Sequence, residues 1–133
     1  MKSPPLFASH PQGVQLLLGL VVPMIGGAIG GVLLGVSEPV YLVYSVLAIG
    51  AGYLGGLEHV GAGEGAQRGF AGGLLFGVLI LATHKVTGAE AKAELPHPEI
   101  LLVVLTTLLG VALGALGGRS RGRRERGRAA TAA

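Results

Sequence analysis

The sequence predicts an all-α integral membrane protein, with four transmembrane helices in two tandem helical hairpins and glycine-stripe packing between them. Three observations lead there. Only 13% of the 133 residues are charged and 50% are hydrophobic, against about 25% charged in a soluble domain. The charges fall outside four apolar runs. Those runs also lack the alternation of polar and apolar residues that a membrane β-barrel needs, as LLLGLVVPMIGG at 16–27 illustrates. Such a composition excludes a disordered chain. With no cysteine, it also excludes a disulfide-stapled module and thiol chemistry.

A helix crossing the roughly 30 Å hydrocarbon core needs about 20 mostly apolar residues. The expected spans are 14–36, 40–57, 69–86 and 100–116. The third is short, because the uncharged stretch ends before Lys85, whose ammonium must snorkel to the headgroups. Helix is expected despite the 25 glycines, because hydrocarbon offers no water to a freed N–H or C=O. Ser37-Glu38-Pro39 reads as the cap and first turn of the second span. The organisation is then a short cytoplasmic N-segment (1–13), a four-span membrane domain (14–118) and a disordered basic cytoplasmic tail (119–133).

Orientation follows from the cations. Lys2, Arg68 and six tail arginines share one side, and only Lys85 and Lys92 lie on the other. The positive-inside rule places both termini in the cytoplasm of a multi-pass cell-membrane protein. The tail residues Arg119, Arg121, Arg123, Arg124, Arg126 and Arg128 are expected to contact anionic lipid headgroups, at roughly 1 kcal/mol per charge near the surface. Nucleic acid would attract the same charges, but no folded reader accompanies them, so it is not an expected partner.

Small residues recur every fourth position, which places them on one helix face. The stripes are Gly27, Gly31 and Gly35 on the first span, Gly52 and Gly56 on the second, Gly69, Gly73 and Gly77 on the third, and Gly110, Gly114 and Gly118 on the fourth. In lipid, helices associate through close backbone approach rather than hydrophobic burial. Each stripe is therefore a contact face, closing the bundle or joining it to a second copy or a larger membrane protein. The pattern GxxGGxxxGV occurs at both 27–36 and 69–78, which is the basis for expecting two tandem hairpins.

Candidate chemistry is sparse. The loop between spans two and three holds Glu58, His59, Glu64 and Arg68, with Glu64 and Arg68 in helix-pairing register and the third helix expected to begin near Ala62. The opposite loop holds His84 and His97 among acids. Glu58, His59, Glu64, His84 and His97 are the candidate metal ligands, with Glu90, Glu94 and Glu99 beside the last two. They lack a metal-binding spacing, so no cofactor is expected and both loops read as solvated. No Asp, Glu, Lys, Arg or His lies near the middle of a span, as an ion-coupled carrier would need. Ser45, Thr106 and Thr107 are the polar residues available to line a path. The expected function is therefore a non-enzymatic packing or accessory subunit acting through its glycine faces. The alternative is a channel or small-solute transport component at a subunit or repeat interface.

Overall fold

The computed structural model describes residues 3–133; Met1 and Lys2, the latter counted above for orientation, lie outside the described residues. The described chain is helical and contains no strand. After a 3-10 turn at Phe7–Ser9, four helices follow: α1 (Gln12–Leu34), α2 (Glu38–Gly56), α3 (Ala62–Thr87) and α4 (Ile100–Ala132). All four are long and apolar enough to cross a membrane.

Helix α3 is the hub. It packs against α4 most extensively and against α1 next, while α2 lies against α4 and touches α1 and α3. Along α3 and α4 the register is antiparallel and advances one turn at a time. A Cβ on Gly65 would overlap the Gly114 carbonyl, one on Gly69 the Gly110 carbonyl, and one on Gly73 the Thr106 carbonyl. The relation is reciprocal for Gly110, Gly114 and Gly118, which face the carbonyls of Gly69, Gly65 and Gly61. Gly77 closes the row against the Thr106 side chain. At the end of the row the Gly61 N–H donates to the Gly118 carbonyl at 2.9 Å. Gly61 has φ 114°, a conformation only glycine adopts without strain.

Helix α1 uses its small residues differently. Gly27 and Gly31 face the carbonyls of Phe76 and Ile80, a parallel register on the other side of α3, while Gly35 meets Ala89 in the following loop. Gly56 of α2 lies on Gly114, and Gly117 lies on Tyr53 and Gly56. Gly52 makes only ordinary contact with Leu113. The two GxxGGxxxGV segments therefore meet different partners: the first faces α3 and the second faces α4. Tyr44 of α2 reaches α1 with a hydroxyl donating to the Gly26 carbonyl at 2.6 Å, and its ring lies over Phe76 with centroids 6.4 Å apart.

The structure differs from the sequence reading in two segments. The 88–99 loop is not wholly solvated, because it folds over one end of the bundle. There the Lys92 N–H donates to the Leu34 carbonyl at 2.8 Å. Ala93 is buried with Leu34, Tyr41 and Ile80, and Leu95 packs against them. Residues 119–132, expected to be disordered, continue α4 as helix. Arginine is a good helix former, Arg121 and Glu125 pair at i,i+4 with 2.7 Å between Nε and Oε1, and Tyr53 Oη donates to Ser120 Oγ at 3.2 Å. At 1.5 Å per residue α4 is about 50 Å long, so its arginine-rich third extends past the apolar part.

At these approach distances even a methyl group forces the helices apart. Gly69→Ala is expected to destabilise the fold by about 1–3 kcal/mol, the usual range for overpacking, whereas Gly50→Ala, with open space at the Cβ, changes it by less than about 0.5 kcal/mol. Reversible unfolding in mixed detergent micelles measures the difference.

Candidate functional site

The unusual chemistry gathers where residues 3–10, the α2–α3 turn and the basic part of α4 meet. The Phe7 N–H donates to the Glu58 carbonyl at 2.8 Å, and the Phe7 and His59 rings stack with centroids 5.1 Å apart. Two arginines organise this end.

Arg121 is only 7% exposed. Its Nη1 donates to the carbonyls of Pro4 and Leu57, and its Nε bonds Glu125. The expectation that it joins the other tail arginines on lipid headgroups is therefore corrected: it is turned inward. The reason is electrostatic. Two carbonyls at the chain's turns have no helical donor, and a guanidinium with a carboxylate neighbour satisfies both at once. Arg119, Arg123, Arg124, Arg126 and Arg128 remain exposed.

Arg68 stands one and a half turns into α3. Its Nη2 donates to the Leu18 carbonyl of α1 at 2.6 Å. That carbonyl is bare for a local reason. Residues Leu17–Val21 form a single π turn, in which the Val22 N–H reaches back to the Leu17 carbonyl instead of to Leu18. In the same pattern the next donor would be residue 23, which is Pro23 and has no N–H. Arg68 supplies the missing donor from the neighbouring helix. Gly72 makes room, since a Cβ there would lie 2.9 Å from Arg68 Nη1, and the guanidinium carbon sits 6.0 Å from the centre of the Phe7 ring. The expected Glu64–Arg68 pair is not formed: among the described residues the ion pairs are Lys85–Glu99 and Arg121–Glu125, and Glu64 is exposed.

Beside Arg68 lies an open cleft of about 460 Å³, lined by Phe7, Gln12, Gln15, Leu16, Gly19, Leu20, Arg68 and Ala71. From the sequence Arg68 reads as an orientation and helix-pairing charge only, and nothing there marks Phe7 or Leu18. The one available signal was Pro23 within an apolar run, because a proline inside a helix always frees a carbonyl upstream.

The other candidates do not converge. Among the described residues no three His, Asp or Glu side chains come together. Glu58 and His59 share the α2–α3 turn, where His59 Nδ1 lies 3.3 Å from the Gly55 carbonyl. His84 sits by Gly35 at the opposite end, and His97 is exposed in the 88–99 loop. The three hydroxyls suggested for a path are turned to their own helices. Ser45 donates to the Tyr41 carbonyl at 2.8 Å, and Thr106 and Thr107 to the Val103 carbonyl at 3.0 and 2.7 Å. No protein-family model matches the chain, and no curated protein or solved structure is found to match it.

Arg121→Ala leaves the Pro4 and Leu57 carbonyls without their donor, at about 1–3 kcal/mol for each buried group. The expected outcome is faster amide hydrogen exchange across residues 3–10 and 57–61, with exchange at the centres of α3 and α4 unchanged.

Proposed function

We propose that this chain is a multi-pass protein of the cell membrane, with both termini in the cytoplasm, acting as a non-enzymatic packing or accessory subunit. One observation carries the reading: the glycine stripes and the hydroxyls of the spans are answered within the bundle. Every stripe glycine from Gly27 to Gly118 faces this chain's own residues, and Ser45, Thr106 and Thr107 return their hydroxyls to their own helices. The glycine faces hold the bundle together, and what remains for a partner is outside it.

Two outer surfaces support this role. Val43, Val46, Leu47 and Leu54 form an exposed apolar ridge on α2, and Val104, Leu105 and Leu108 form another on α4. In hydrocarbon such ridges suit lipid tails or the helices of a larger membrane protein equally. Beyond them, the exposed arginines of the α4 extension lie where anionic headgroups of the cytoplasmic leaflet would meet them. The positive-inside distribution sets the orientation. No observation favours the channel alternative over this one.

Purification in mild detergent is expected to bring a larger membrane partner with the chain, while the chain alone, reconstituted in liposomes, passes no ions. Ion flux that disappears on Thr106→Val would overturn the accessory role. Release by carbonate washing, or tags on the two ends reporting from opposite leaflets, would overturn the membrane topology.

A further inference from the structure

The Arg68 cleft has a chemistry that the accessory role does not use. A guanidinium carries five N–H donors, and here one interhelical bond, to Leu18, is made. Nε is buried without a partner. Among the described residues no carboxylate pairs with Arg68; Glu58 acts on its charge only through space. A cation held about 9 Å along α3 from Ala62, with no counter-ion, is costly at the edge of hydrocarbon. The cleft beside it is divided by chemistry. Gln12, Gln15 and Arg68 give it a polar end, and Leu16, Leu20 and Ala71 an apolar flank. Leu16 is 59% exposed and Leu20 44%, so that flank opens sideways, toward the lipid tails in the proposed orientation.

We propose that this cleft is a binding site for one anionic glycerophospholipid of the cytoplasmic leaflet, its phosphate on Arg68 Nη1, which the Leu18 bond leaves free, and an acyl chain along Leu16, Leu20 and Ala71. A phosphodiester offers anionic oxygens that a guanidinium fork matches, and it lies at headgroup depth where Arg68 stands. Basic pockets between helices on the cytoplasmic side are suited to such headgroups. Binding neutralises the one arginine at this end of the α1–α3 interface that the protein leaves unpaired. The exposed arginines of α4 attract the same lipids, but without shape and without a place for an acyl chain. The site rests on the membrane reading above.

The test is native mass spectrometry of the full chain in detergent micelles, doped with phosphatidylglycerol or with phosphatidylcholine of the same acyl chains. One phosphatidylglycerol is expected to remain bound per chain, with an apparent affinity at least about tenfold above phosphatidylcholine, whose phosphodiester carries its own choline counter-charge. Arg68→Gln should remove that preference. Ala71→Leu, which fills the apolar flank without touching a charge, should weaken binding by a similar factor and serves as the deciding variant where Arg68→Gln fails to fold. Replacing Arg123, Arg124, Arg126 and Arg128 together by Gln should leave the bound lipid in place.

Equal retention of the two lipids, insensitivity to both cleft variants, or loss of the lipid with the α4 arginines would each overturn the proposal. Displacement of the lipid by millimolar inorganic phosphate or glycerol phosphate would also overturn it, because the site would then take a free phosphate rather than a lipid. A chain that carbonate washing releases from vesicles fails the membrane reading itself, a result distinct from a membrane-held chain that ignores lipid charge.

Discussion

Backbone-to-backbone approach between α3 and α4 is the constraint from which the rest of the architecture follows. From Gly61–Gly118 to Gly73–Thr106 the carbonyl of one helix occupies the space where the other would place a Cβ. No side chain fits at Gly65, Gly69, Gly73, Gly110, Gly114 or Gly118 without a shift, so the pair holds together at backbone distance only along this row. Once it is fixed, α3 has one remaining face, which α1 takes in parallel through Gly27 and Gly31. Helix α2 then lies on α4 at Gly56 and Gly117. Each stripe of small residues selects a neighbour by letting it come nearer than any other helix could.

Close approach also explains how so few large side chains suffice. Among the described residues the fully buried ones of any size are Leu34 and Ile80, both near the end that the 88–99 loop covers. In water so small a core would contribute little, since stability there scales with apolar area removed from solvent. In hydrocarbon that term nearly vanishes between helices, and dispersion contacts along well-fitted backbones take its place. The exposed leucines, valines and isoleucines on α1, α2 and α4 are a fault in the first solvent and an ordinary surface in the second.

Much of this was legible in the sequence, and what was not has identifiable causes. Four helices follow from run length and charge placement, and the spacing of four marks where small residues share a helix face. Which stripe meets which does not follow, because GxxGGxxxGV at 27–36 and at 69–78 is the same text for two different neighbours. The 88–99 loop was misread because its composition is polar while its geometry is set by single apolar residues, Ala93 and Leu95, docking on Leu34 and Tyr41. The 119–132 helix was misread because a charge run signals disorder by composition. Arginine nevertheless favours helix, and Glu125 sits one turn from Arg121. Arg68 was visible only as a charge. Its partner is a main-chain carbonyl freed by a π turn ahead of Pro23, and side-chain pattern carries no record of a carbonyl.

Arg68 and Arg121 show why residue type alone does not assign a role. Both are drawn inward to main-chain carbonyls that helices leave unsatisfied. Arg121 has Glu125 at 2.7 Å and bonds two carbonyls, so its charge and its donors are both answered within the chain, and it works as a clasp between the N-terminal segment, the α2–α3 turn and α4. Arg68 answers one carbonyl and, among the described residues, has no acid in contact. A half-buried charge without its counter-charge is an unfinished interaction, and something outside the chain can complete it. The same end of the bundle thus holds one arginine that closes the fold and one that opens it to a ligand. The difference between them is a single carboxylate.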